Sequence, residues 1–69
     1  MYILKHKTKE LFLNRSTRTI IHSDINEAST FLEASTAMTS LVELRTKLKM
    51  FTNHSWSEFE PIEVKLIKL

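Results

Sequence analysis

Sixty-nine residues, 42% of them hydrophobic and 26% charged, with a net charge of +2, describe one small globular domain rather than a disordered tail. The absence of cysteine excludes disulfides, thiol catalysis and thiolate zinc sites. The absence of glycine excludes phosphate-cradling loops, whose backbone must approach an anion closely or take positive φ. A domain of this size buries only about 60% of the surface its unfolded chain exposes, so a homo-oligomer or a bound partner is an expected source of stability. No run reaches the roughly 18 apolar residues of a membrane span. The start "MYILK" passes into charged residues without an apolar signal segment, so no membrane contact and a cytosolic location are expected.

In chain order, apolar Tyr2 to Leu4, polar "KHKTKE" and "LFL" at 11–13 predict a β-hairpin. Without an Asn-Gly or Asp-Gly pair, a connection of three to five residues is expected in place of a tight primed turn. "TRTIIHS" at 17–23 is β-branched and supplies a possible third strand. Asp24, with Glu27 three residues on, marks a helix start near Ile25. At about 100° per residue, the stripe Ile25, Ala28, Leu32 lies about 150° away from the stripe Ala37, Leu41, Leu44, Leu48, Phe51.

One straight helix cannot aim both stripes at one core. The chain is therefore expected to break between Leu32 and Ala37, giving a short first helix and a longer second one capped by Ser35 and ending near Met50. The doubled "EAST" within 27–36 is a coincidence of composition, since repeat architectures need units of about 20 residues or more. "TNHSWS" at 52–57 is a loop by composition. Ile62, Val64 and Leu66 then alternate with Glu63, Lys65 and Ile67 as in a half-buried strand, with Pro61 at its start or on a sheet edge. The expected fold is α+β: a small antiparallel sheet of hairpin, possible third strand and C-terminal strand, with a short and a longer helix on one face.

His6, His22 and His54 fall in three separate turns or strand ends, in no metal-binding spacing, and read as exposed or loosely bonded with no metal role. Glu58 and Glu60 superficially resemble an acid–base pair on one side of a strand, but a solvated charged edge is the better reading. No catalytic residue and no cofactor is expected. A minimal hydrolase remains the enzyme alternative, against the difficulty of enclosing a pocket of roughly 300 Å³ in so small a domain.

Charge is unevenly placed. Residues 1–22 carry net +4 from Lys5, Lys7, Lys9, Arg15 and Arg18 against Glu10, and residues 23–44 carry net −4. The basic hairpin, with Tyr2 and Phe12 as stacking aromatics, is a candidate nucleic-acid or nucleotide surface. The competing explanation is that its lysines protect a sheet edge. The acidic segment near helix starts and Arg45, Lys47 and Lys49 near a helix end suit the helix dipole.

Trp56 stands in "NHSWSEF" with His54 and Phe59, a candidate partner-binding trio in a polar loop. The alternative is a lid over the core.

The strings "YILKHKTKELFL", "DINEASTF", "AMTSLVELRTKL" and "IEVKLI" together resemble a loose pattern among small phage and prophage proteins of unassigned role. The resemblance implies a small cytosolic protein made during infection or carried on a mobile element, of a kind that often binds and inhibits a host enzyme or defence component. A non-catalytic protein-interaction module is thus the leading expectation, with a host protein as partner. Nucleic-acid binding by the hairpin is the alternative.

Overall fold

The computed structural model describes residues 1–16 and 18–65. Strands β1 (Tyr2–His6), β2 (Phe12–Leu13), β3 (Ile21–His22) and β4 (Phe59–Glu63) form one antiparallel sheet in the order β3-β2-β1-β4. Helices α1 (Ala34–Glu43) and α2 (Arg45–Phe51) follow one another, and α1 packs on the face presented by β1 and β4. The α+β class, the hairpin with its five-residue connection 7–11, the third strand and the C-terminal strand are as expected. No helix among the described residues is long and apolar enough to cross a membrane.

The core follows from two periodicities meeting. Along the helices, Ala37, Leu41, Leu44 and Leu48 recur at three- and four-residue spacing and are buried together. They meet Leu4, Leu13, Ile20, Phe31 and Phe59 from the sheet and its connections. Leu44 has φ −80° and ψ −6°, which separates α1 from α2. The amide of Leu44 still donates to the Ser40 carbonyl at 2.9 Å, and Leu48 to Leu44 at 2.9 Å, so the apolar stripe keeps its register across the bend.

The break before Ala37 is present, but its cause and its position differ from the expectation. Tyr2 and Phe31 exchange backbone hydrogen bonds of 2.7 and 2.8 Å, which holds the chain extended there. The helix therefore begins at Ala34 with Glu33 in the cap position, φ −131°, and Ser35 lies within the first turn. The expected short first helix is a single 3-10 turn, Ile25–Glu27, capped by Asp24, whose carboxylate accepts from the Asn26 amide at 2.9 Å. In an extended segment neighbours point to opposite sides, so Phe31 enters the core and Leu32 is 82% exposed. Ile25 is exposed as well, so the stripe Ile25, Ala28, Leu32 is not a core face. Phe51, expected in the second stripe, is 73% exposed, because the helix ends there, where the Thr52 hydroxyl bonds the Leu48 carbonyl at 2.6 Å.

β4 begins at Phe59, earlier than the alternation implied, while Leu66 and Ile67 lie outside the described residues. Lys7 donates to the Glu58 carbonyl at 2.9 Å and Val64 to the Met1 carbonyl at 2.8 Å. With the register Lys5↔Glu60 and Ile3↔Ile62, these bonds make Leu4↔Pro61 a non-hydrogen-bonded pair. Pro61 thus sits mid-strand on the sheet edge, where its missing N–H would have pointed away from β1.

The burial difference between the two stripes is open to measurement. Leu41→Ala, in the fully buried stripe, is expected to cost about 2–5 kcal/mol in urea unfolding. Leu32→Ala is expected to change stability by no more than about 0.5 kcal/mol.

Candidate functional site

The segment from Thr52 to Glu58 is a built structure rather than a loose loop. The Thr52 hydroxyl that closes α2 also accepts from the His54 amide at 3.1 Å. The chain then enters a 3-10 turn, Trp56–Glu58. One Glu58 oxygen reaches back to accept from the Ser55 amide at 2.6 Å, the return contact of a Ser-x-x-Glu capping box. Its other oxygen, Oε1, accepts from His6 Nε2 at 3.0 Å and from His54 Nδ1 at 3.1 Å. His6 itself is only 6% exposed. It reaches Glu58 because the β1–β4 ladder pairs the end of one strand with the start of the other.

The tautomers follow from this network. His6 Nδ1 lies 3.1 Å from the Thr8 amide and 3.2 Å from the Lys9 amide, so it accepts two backbone N–H groups and the ring proton sits on Nε2, facing Glu58. His54 donates to Glu58 from Nδ1. The two imidazoles and Phe59 meet edge to face, with centroids 5.2 Å apart for His6–Phe59 and 5.4 Å for His6–His54. The Ser55 amide, and after it the two imidazoles, hold the Glu58 carboxyl down at about 2.

His6, His54 and Glu58 present ligand atoms within 4.8 Å of one another, the separation of a metal-binding trio. The surroundings of His6 argue against that use. A metal on Nε2 requires the proton on Nδ1, with an acceptor beside it, and here Nδ1 faces two backbone donors. The arrangement instead clamps one carboxylate between two N–H groups, joining the β1–β2 turn to the 52–58 segment.

Beside the clamp lies an open groove of about 750 Å³. It is lined by Arg45, Lys49 and Met50 of α2 and by Asn53, His54 and Trp56 of the following segment. Trp56 is 38% exposed, so it is neither a free loop aromatic nor a sealed core lid.

The structure separates the expected partner-binding trio. Trp56 lines the groove, His54 shares its ring between the groove and Glu58, and Phe59 is a core residue, buried at 3% exposure. Of the hairpin cations, Lys5 is half-buried, with Nζ 3.2 Å from the carbonyls of both His6 and Lys9 and 3.5 Å from Glu10. Arg15 donates to the Ser40 hydroxyl at 3.0 Å and lies over the Phe31 ring at 5.8 Å. Lys7, Lys9 and Arg18 are exposed. Phe12, expected to stack on a base, is buried, and Tyr2 packs against the core.

His6 and His54, expected to be exposed or loosely bonded, are clamped, and Glu58 belongs to the clamp rather than to a charged edge shared with Glu60. The groove cations Arg45 and Lys49 were visible in the sequence only as helix-end charges. The Ser55-x-x-Glu58 spacing was the one local signal of the clamp.

Two measurements check this assignment. Because Glu58 titrates near 2 in the folded chain and near 4.5 otherwise, its contribution to stability is complete above about 4.5 and is lost as the pH falls toward 2. Glu58→Gln is expected to lower stability at neutral pH and to flatten the acid limb of the unfolding profile within that window. Long-range ¹H–¹⁵N spectra are expected to show His6 as the Nε2–H tautomer, and stoichiometric Zn²⁺ is expected to leave the unfolding temperature unchanged.

Comparison of the chain with protein-family models, curated proteins and solved structures gives no match.

Proposed function

We propose that the protein is a non-catalytic interaction module that binds a partner protein through the groove between α2 and the 52–56 segment, with Trp56 as its anchor. The observation that carries this reading is a tryptophan on a capped 3-10 turn, 38% exposed, lining one groove with exposed Met50. Interface hot spots are typically aromatic side chains presented in a pocket with their conformational freedom already restricted. The likeness to small phage proteins supports a host protein in the cytosol as the partner and inhibition or modulation as the outcome. Nucleic-acid binding by the hairpin has less support, because Lys5 and Arg15 are engaged internally and Phe12 is buried.

Trp56→Ala tests the reading. It is expected to weaken partner binding by about 2 kcal/mol or more, roughly thirtyfold, while cooperative unfolding is retained. Capture from a nuclease-treated lysate, followed by calorimetry with the purified partner, gives the affinity, and thermal unfolding gives the stability. A stable variant that retains every partner refutes the role of the groove.

A further inference from the structure

We infer that the segment entering this groove is an acidic peptide in which a carboxylate adjoins a large apolar side chain. The inference rests on the protein-binding reading above and adds the chemistry of the occupant. Arg45 and Lys49 stand four residues apart on α2, hence on one face, and both are exposed. Among the described residues neither takes part in an ion pair: the paired carboxylates are Glu10, matched with Lys5, and Glu58, matched with His6 and His54. No carboxylate among the described residues lines the groove, and both oxygens of neighbouring Glu58 are occupied by Ser55, His6 and His54.

Two cations therefore line a concavity to which no described residue brings a counter-charge. Lys49 lies in the last turn of α2, where the helix dipole favours it, but Arg45 is the first residue of that helix and has no such explanation. Next to the cations, Trp56 offers a flat apolar face and Met50 an adaptable thioether. An Arg fork with an apolar seat beside it matches a carboxylate followed by a Leu or Phe side chain. A peptide suits the site better than a nucleic-acid strand. Met50 beside Trp56 makes the apolar seat aliphatic as well as aromatic, which suits a Leu or Phe side chain, whereas strand binding rests on successive aromatic faces for base stacking.

Trp56 is the only tryptophan of the chain, so its emission reports directly on the groove. The full chain is titrated with a blocked hexapeptide, Asp-Glu-Phe-Leu-Glu-Asp, with its counterpart carrying Lys at each acidic position, and with a single-stranded oligothymidylate. The acidic peptide is expected to give a saturable change that weakens with added salt, and the basic peptide none. Arg45→Glu with Lys49→Glu is expected to weaken the acidic peptide at least tenfold without lowering the unfolding temperature. Lys47→Glu, outside the groove, is expected to leave binding unchanged. Should the double reversal fail to fold, Arg45→Gln with Lys49→Gln serves, with an expected loss of at least fivefold.

Equal response to the basic peptide, indifference to the cation variants, or tighter binding of the oligothymidylate overturns the inference. If a protein partner is lost with Trp56→Ala but kept by the charge variants, the acidic occupant is wrong and the protein-binding reading stands. If Trp56→Ala keeps the partner, that reading falls first.

Discussion

The antiparallel ladder between β1 and β4 joins Tyr2–His6 to Phe59–Glu63, two segments at opposite ends of the described chain, and every other arrangement in the molecule depends on it. It places Leu4 and Phe59, diagonal neighbours across the ladder, in the floor on which α1 rests. The same pairing, continued by the bond from Lys7 to Glu58, draws the 52–58 segment against the β1–β2 turn. The helices carrying Leu41 and Leu48 would lose the Leu4 and Phe59 part of their packing surface without it.

The clamp on Glu58 converts that backbone pairing into side-chain order. A carboxylate held by Ser55, His6 and His54 has no freedom left. Trp56 is therefore fixed from both sides, by Ser55 before it and Glu58 after it. His6 does double duty, since its other nitrogen gathers the amides of Thr8 and Lys9 and shapes the turn between β1 and β2. The two ends of the described chain thus share one polar network, and the groove beside it inherits its rigidity from a contact 52 residues apart in sequence.

Legibility in the sequence followed the range of the interaction. Local signals were sound in part: Asp24 caps a turn, the stripe Ala37, Leu41, Leu44, Leu48 is buried although its expected last member Phe51 is not, and Ile62 and Glu63, where the expected alternation starts, lie in a strand. Errors arose where a distant pairing overruled local preference. Phe31 pairs with Tyr2, so the chain is non-helical between Glu27 and Ala34, where the apolar spacing predicts a short helix. Lys5 and Arg15 looked like free cations because their carbonyl and hydroxyl partners cannot be read from composition. The clamp was hardest to see, because its two histidines gain meaning only when β1 and β4 are adjacent.

The lack of glycine has an effect that no contact in the folded protein displays. None of the described residues takes positive φ, so the turns at 7–11, 14–16 and 24–27 are shaped by side-chain acceptors, His6, Asn14 and Asp24, instead of by left-handed backbone. A β-carbon at every position also narrows the ensemble of the unfolded chain, and each glycine replaced at a compatible site raises stability by about 0.4–1 kcal/mol through that ensemble alone. For a domain whose core is limited by its size, part of the preference for the folded state is thus set by restricting its competitor.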